Sequence, residues 1–236
     1  MKAGFLIFTL FLTGCAAAPH ASGPARPQPA DVAMTPPAQA ELYLGVIDGL
    51  IRQKRYEAAI AFLAKYQKTE PLTPRYNKLA GDALTGARRF DEAIAAYCHT
   101  LKSNFAPEAY NGIGRALSAR GQWPEAAENF RQAAILDPSN AGYLNNFAYA
   151  QMKQNFQGAD LAPVVSELQR AHELDPASPL IRTNLALALS LSGSRDQFLA
   201  FLNTIPDAAK RKQVADFSTA WKADWTGDTG IKESTP

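Results

Sequence analysis

The side chains that could bind a metal ion are few, and their spacing is not that of ligands. The three histidines are His20, His99 and His172, and only His99 has a cysteine beside it, Cys98. Neighbouring residues in a helix point to different faces, whereas a zinc site needs three or four side chains that converge. The sequence therefore predicts no metal site and no cofactor.

Pairs of carboxylates, which acid–base catalysis often uses, occur at Asp91 and Glu92 and at Glu125 and Glu128. Each pair lies near the expected start of a helix, where acidic side chains interact favourably with the helix dipole. The chain has no glycine-rich phosphate loop, no nucleophile elbow and no HExxH motif. We therefore expect a protein that is not an enzyme.

Helical repeats organise most of the chain. The clearest unit contains YNGIGRALSARGQWPEAAENFRQAAILDP from Tyr110 to Pro138, which predicts two amphipathic helices joined by a turn at Gly121. Its period of about 34 residues, its alanine–phenylalanine core and its closing proline resemble the tetratricopeptide repeat. The predicted units are 41–73, 74–106, 107–140, 141–178 and 179–205. The residues of the predicted packing signature are Gly81, Ala93, Gly114, Ala126, Phe130, Pro138 and Pro176.

The expected fold is all-α, a superhelical array of about five tetratricopeptide helix pairs within residues 41–225. Asp207 is a suitable cap for a final amphipathic helix at 207–222, which would cover the open end of the array. The fourth unit contains NFQGADLAP, which is longer than the period allows and predicts an extended loop. Residues 226–236 are expected to be a flexible tail.

The resemblance to tetratricopeptide arrays also implies a binding face. In such arrays the first helix of each unit lines the concave side, and polar residues between the packing positions face a peptide ligand. In this chain the corresponding residues are Arg75, Lys78, Asp82, Asn111, Arg115, Ser118, Asn145, Tyr149 and Met152. Asn111 and Asn145 occupy equivalent positions, and a side-chain amide can both donate to and accept from a peptide backbone. Lys78 with Arg115 could receive a carboxylate, although polar residues merely tolerated on an exposed face explain the pattern equally well.

The N-terminus reads MKAGFLIFTLFLTGC, a lysine and a short apolar run before small residues. This pattern is typical of a secretory signal, since a membrane-spanning helix needs about 20 apolar residues. LTGC at its end resembles a bacterial lipobox, which implies removal of residues 1–14 and lipidation of Cys15. An ordinary signal peptide cleaved near Ala17 is the alternative. Residues 15–40 are rich in proline and alanine and are expected to form a disordered tether.

The next residue, Ala16, implies sorting of such a lipoprotein to the outer membrane, where the repeats would face the periplasm. Lysine and arginine number 24 against 22 acidic residues, and the formal net charge is +2. Such a balanced charge is not the electrostatic footprint of a nucleic-acid-binding protein. We therefore expect a protein partner, and neither a nucleic acid nor a small-molecule substrate.

A lipobox, a proline-rich tether and a short repeat array occur together in several bacterial outer-membrane lipoproteins. Within that group, RTNLALALSLSG in the fifth unit resembles the TadD family of tight-adherence (Flp) pilus assembly lipoproteins. The resemblance implies a scaffold that helps an outer-membrane secretin to assemble or to reach its place. Arg195 and Phe198 depart from the usual aromatic and alanine of a repeat, so the C-terminal surface is expected to differ. Two alternatives are a pilotin of a type IV pilus system and an adaptor that regulates a periplasmic cell-wall enzyme.

Overall fold

Helices account for all regular secondary structure in the part of the chain that the computed structural model describes, residues 35–154 and 160–226. The all-α fold predicted from the sequence is confirmed. In chain order the helices are α1 Pro36–Arg52, α2 Tyr56–Tyr66, α3 Pro74–Gly86, α4 Phe90–Cys98, α5 Ala106–Ala119, α6 Trp123–Leu136, α7 Ala141–Gln154, α8 Ala162–Leu174, α9 Pro179–Leu191, α10 Arg195–Asn203 and α11 Ala208–Thr226.

Consecutive helices from α1 to α10 form pairs, and the first helix of each pair also packs against the first helix of the next pair. At the end of the array, α11 packs against α9 and α10 as the predicted capping helix. Asp207 caps α11, because its Oδ1 accepts hydrogen bonds from the backbone N–H groups of Ala209 at 2.8 Å and Lys210 at 3.0 Å.

Two predicted boundaries need correction. Helix α1 begins at Pro36 rather than at residue 41, because a proline is well suited to the first turn of a helix. Helix α11 continues to Thr226, beyond the predicted end at residue 222. Residues 1–34, which include the predicted lipidation site, lie outside the described residues, as do 227–236. So do residues 155–159, which form most of the expected extended loop.

Four turns within pairs, those that the structure describes in full, share one backbone feature, a residue with positive φ shortly after the first helix. Glycine occupies this position at Gly121 (φ 77°) and at Gly193 (φ 75°), whereas Lys54 (φ 58°) and Arg88 (φ 63°) occupy it in the first two pairs. The left-handed conformation costs an L-residue roughly 1–2 kcal/mol relative to glycine. The same turn geometry is therefore kept even where the sequence does not favour it.

The core is a series of small clusters, each shared by neighbouring helices. Tyr97 on α4 is fully buried, and its ring lies against two glycines, Gly81 on α3 and Gly112 on α5. A Cβ atom added to Gly81 would lie 2.5 Å from the Tyr97 ring. The Phe130 ring lies against Gly114 in the same way, at 2.7 Å from an added Cβ. These contacts explain why small residues recur in the first helices.

Four other residues of the predicted packing signature divide into two groups. Ala93 and Ala126 are fully buried, whereas Pro138 and Pro176 are exposed in the connections between pairs. The backbone carbonyl oxygens of the two prolines hold the connections to neighbouring helices. Pro138 O accepts from Arg170 Nη2 at 3.2 Å, and Pro176 O accepts from Arg182 Nη2 at 2.9 Å. Among the described helices, none has both the length and the apolar character needed to cross a membrane.

Substitution of Gly112 tests the packing of Tyr97. Gly112→Ala is expected to lower the free energy of unfolding by about 1–3 kcal/mol, because its Cβ would overlap a buried ring that has no room to move. Gly45→Ala on α1 is the matched control, since nothing lies within 4 Å of its added Cβ and alanine favours a helix by about 1 kcal/mol. Chemical denaturation measures both effects. Equal stability changes in the two variants would contradict the proposed packing.

Candidate functional site

The predicted binding residues lie on α3, α5 and α7, the first helices of three consecutive pairs. These helices are neighbours, because α3 packs against α5 and α5 packs against α7. The arrangement brings residues that are far apart in the sequence onto one surface, which we call the first-helix surface. The available groups on this surface depend on which side chains already bind one another.

The charged residues of α3 are engaged within the protein. Arg75 forms an ion pair with Glu41 on α1, and Lys78 Nζ lies 2.9 Å from Asp82 Oδ2. Asp82 Oδ1 also accepts a hydrogen bond from the Tyr97 hydroxyl at 2.7 Å. Because Lys78 is paired with Asp82, it is not available to bind a ligand carboxylate together with Arg115, which was the role predicted from the sequence.

The Tyr97 hydroxyl is a fixed donor to Asp82. Burial of the ring, together with the nearby Asp82 carboxylate, raises the pKa of the Tyr97 phenol far above its usual range. The phenol therefore remains protonated at any physiological pH. As a result, Asp82 is held from one side by Tyr97 and from the other by Lys78.

Four asparagines form a chain of side-chain hydrogen bonds across α9, α7 and α5, which we call the asparagine ladder. Asn184 Nδ2 donates to Asn145 Oδ1 at 2.8 Å, and Asn145 Nδ2 donates weakly to Asn146 Oδ1 at 3.4 Å. Asn146 Nδ2 in turn donates to Asn111 Oδ1 at 2.8 Å. Each Nδ2 donates to the next Oδ1 in the same direction along the ladder. At the last member, Asn111, the side-chain Oδ1 therefore accepts a hydrogen bond, whereas the Nδ2 N–H groups donate none within the ladder.

Two predicted binding residues are buried instead of facing a ligand. Asn145 is 2% exposed and belongs to the asparagine ladder, and Met152 is fully buried in the core cluster that contains Leu168 and Leu185. The prediction is wrong for these two residues, because α8 and α9 cover this side of α7. Asn146, which directly follows Asn145, is the more exposed of the two.

Tyr149 and Ser118 are partly exposed, but both make contacts within the protein. The Tyr149 ring packs edge-on against Trp123 with 6.1 Å between centroids, and burial raises the pKa of its phenol. Lys153 Nζ lies 5.5 Å from the centre of the same Trp123 ring, a distance at which a cation–π interaction is favourable. Ser118 Oγ donates to the Arg115 carbonyl at 2.9 Å. Tyr149 and Trp123 therefore form an aromatic border next to α5.

The polar groups that remain available on the first-helix surface are Glu108, Asn111 and Arg115, which we call the α5 row. Their spacing of three and four residues places them on one face of the helix, and they extend along about 10 Å of its axis. Arg115 is exposed and forms no ion pair within the described residues. Glu108 Oε2 is buried and has no hydrogen-bond partner in that part of the chain.

Glu108 was missed in the sequence, although its position three residues before Asn111 could have suggested it. Burial of the Tyr143 ring on α7, and then the charge of the Glu108 carboxylate, raise the pKa of the Tyr143 phenol to about 12. The α5 row thus offers an acceptor at one end and donors at the centre and at the other end. Such a row can bind the N–H and C=O groups of an extended peptide.

Residues 35–154 and 160–226 contain no group of three or more histidine, cysteine, aspartate or glutamate side chains placed to hold a metal ion.

Comparison with known proteins supports the repeat assignment. A family model described as TPR repeat matches residues 114–155. The fold is that of a tetratricopeptide-repeat protein. A curated relative, TPR repeat-containing protein PA4299 of Pseudomonas aeruginosa, is 29% identical over 200 residues, which span 83% of this chain and 76% of the relative.

Solved structures show the same fold at low sequence identity. A structure from the functional characterization of Pseudomonas aeruginosa pilF has a TM-score of 0.60 and 15% identity, and the match covers 82% of this chain and 89% of that one. YrrB, described as a TPR protein with an unusual peptide-binding site, has a TM-score of 0.56 and 16% identity, and the match covers 78% of this chain and 91% of that one. A MamA RS-1 double mutant has a TM-score of 0.56 and 18% identity, and the match covers 79% of this chain and 98% of that one.

Removal of one ladder amide tests whether the asparagines are structural. Asn184→Ala is expected to lower the free energy of unfolding by about 1–3 kcal/mol, because Asn145 Oδ1 would be left buried without a donor. Thermal or urea denaturation measures the change. Asn129→Ala is the control, since Asn129 only donates to a carbonyl on an exposed part of its own helix. The structural role would be refuted if Asn184→Ala were as stable as the control.

Proposed function

We propose that the protein is a scaffold that binds an extended peptide segment of a partner protein along the α5 row. The observation that carries this proposal is the set of unused polar groups on α5: the Asn111 N–H groups, the exposed Arg115 guanidinium and the half-buried Glu108 carboxylate. Hydrogen bonds to charged groups contribute about 1.5–3 kcal/mol, so a peptide that accepts from Arg115 gains binding energy. The repeat fold supports the same reading, since solenoid surfaces commonly bind proteins.

The proposed partner is a subunit of a pilus or secretion system, with the secretin of an Flp pilus as the leading candidate. Two observations support this choice, and neither identifies the partner. The fifth unit resembles the TadD family in RTNLALALSLSG, and the fold is similar to that of pilF from Pseudomonas aeruginosa. A pilotin of a type IV pilus system is the alternative role, and recovery of the secretin of such a system would favour it.

Reversal of one charge on the α5 row tests the proposed site. Tagged full-length protein carrying Arg115→Glu is expected to recover at least tenfold less partner from detergent-solubilised membranes than the unchanged protein, because a hydrogen bond from a charged group such as the Arg115 guanidinium contributes about 1.5–3 kcal/mol. Arg195→Glu is the matched control, since Arg195 is an exposed arginine on α10, away from the α5 row. Mass spectrometry identifies what is recovered.

The identity of the recovered protein separates the candidate functions. A secretin that is lost with Arg115→Glu but retained with Arg195→Glu supports both the pilus role and the α5 row. A cell-wall enzyme in its place would overturn the pilus role and leave the scaffold standing. Equal recovery with both variants would overturn the α5 row as the binding site.

We also propose that Cys15 carries a lipid that anchors the protein to the outer membrane. The support is the LTGC sequence alone. Several acyl chains on one cysteine give effectively permanent attachment, whereas a single chain gives only marginal binding. The repeats would then face the periplasm at the end of the proline-rich segment that precedes α1.

Substitution of the cysteine tests the anchor. Cys15→Ala is expected to move the protein from the outer-membrane fraction to the membrane-free fraction. Labelling of the protein with a radioactive fatty acid should also be lost. Cys98→Ala, which changes the other cysteine, is the control and should leave both measurements unchanged. Labelling that persists in Cys15→Ala would contradict the assignment.

A further inference from the structure

A cavity lies between the first turn of α9 and the first three turns of α11, away from the α5 row. It has a volume of about 620 Å³, within the range of about 300–1,000 Å³ that is usual for ligand pockets. Its polar side is formed by Arg182, Thr183, Lys210 and Gln213, and its apolar side includes Pro179, Val214 and Phe217. We call this cavity the α9–α11 pocket.

The charge of the α9–α11 pocket is positive, because Arg182 and Lys210 line it and no acidic side chain does. The same two cations also line an adjoining depression of about 420 Å³, where the nearest acidic residue is Asp207. The Asp207 carboxylate already caps α11, and its hydrogen bonds from the Lys210 and Ala209 backbone hold its pKa below the usual range. Asp207 therefore stays ionised and partly offsets the charge of Lys210, and the two cations still leave an excess of positive charge at the pocket.

The walls of the α9–α11 pocket are held in place without a ligand. Arg182 Nη2 donates to the Pro176 carbonyl at 2.9 Å, which fixes its guanidinium at the edge of the pocket. Arg211 donates to the Ile205 carbonyl through Nε at 3.1 Å and through Nη2 at 3.0 Å, which fixes the segment before α11. A pocket that is already formed loses less conformational entropy on binding.

A ligand for this pocket must carry a negative charge and an apolar group close together. The apolar side includes Phe217, which is 40% exposed, and Val214, which is buried. In the last residue of a protein chain, the carboxylate and the side chain leave the same Cα atom, so one residue can contact both sides.

We propose that the α9–α11 pocket binds the carboxyl terminus of a partner chain whose last residue is apolar. Arg182 and Lys210 bind the terminal carboxylate through charge-assisted hydrogen bonds. The last side chain packs against Val214 and Phe217, while Thr183 and Gln213 bind backbone groups of the residues before it. This site is independent of the α5 row, because the two share no residue.

The test measures binding of short fluorescein-labelled peptides to the full-length chain by fluorescence anisotropy. One peptide ends in phenylalanine with a free carboxylate, the second is its carboxyl-terminal amide, and the third is the free acid ending in serine. We expect the first to bind at least about tenfold more tightly than either of the others, because each of the others lacks one of the two required groups.

Variants connect this binding to the pocket. Lys210→Gln and Arg182→Gln are each expected to weaken binding of the phenylalanine acid by about tenfold. Lys212→Gln is the matched control, since Lys212 is 76% exposed and its ammonium lies 2.6 Å from Asp216 on the same helix. The membrane pull-down with Arg115→Glu tests the α5 row and the anisotropy variants test this pocket, so failure of the α5 row and failure of this pocket are distinguishable.

Circular dichroism checks that each variant is folded, and the two pocket variants change separate helices, so one remains informative if the other unfolds. The proposal is overturned if the amide binds as tightly as the acid or if neither pocket variant weakens binding. Absence of any binding by the phenylalanine acid also overturns it.

Discussion

The position of Tyr97 is the constraint on which much of the array depends. Its ring lies on α4 but fills the space left by Gly81 on α3 and by Gly112 on α5, so one side chain fixes two consecutive pairs. Interiors at normal packing density transmit small changes in volume to their neighbours. The relative position of α3 and α5 therefore depends on two glycines and one ring. The Tyr97 hydroxyl extends this effect to the surface, because it orients Asp82, and Asp82 in turn binds Lys78.

The asparagine ladder continues the same organisation from α5 to α9 with polar contacts. Buried amides need partners, and each ladder member supplies one to the next. The direction of the hydrogen bonds decides what reaches the surface, since the carbonyl oxygen of Asn111 is used and its N–H groups are not. The binding properties of the α5 row thus follow partly from side chains that no ligand touches.

The sequence predicted the fold well because a repeat period is a property of the whole chain. Small residues such as Gly114 and large ones such as Phe130 recur at fixed spacing, and the structure brings this pair into contact. The binding face was harder to predict. Analogy between units assigned Asn145 and Met152 to it, but the packing of α8 and α9 buries both. Glu108 was missed because a glutamate near the start of a helix is usually explained by the helix dipole.

The α9–α11 pocket could not be predicted, because its residues come from two helices whose relative position the repeat pattern does not determine. The fifth unit departs from the repeat at Arg195 and Phe198, and its second helix, α10, is only nine residues long. The packing of α11 on α9 and on this short helix is a feature of the folded chain alone. The sequence predicted the amphipathic capping helix α11, but not the α9–α11 pocket beside its first three turns.

The small net charge of the chain affects how a partner associates with the α5 row and with the α9–α11 pocket. At +2, the chain has little long-range attraction for a partner, so association is not expected to be strongly accelerated by electrostatic steering. Selectivity must then come from local groups such as Arg115 on α5 and Arg182 with Lys210 at the pocket. These groups lie on different pairs, and in a repeat array each pair contacts mainly its neighbours. Changes at one surface therefore need not disturb the other, which allows a scaffold to hold two segments of its partners at once.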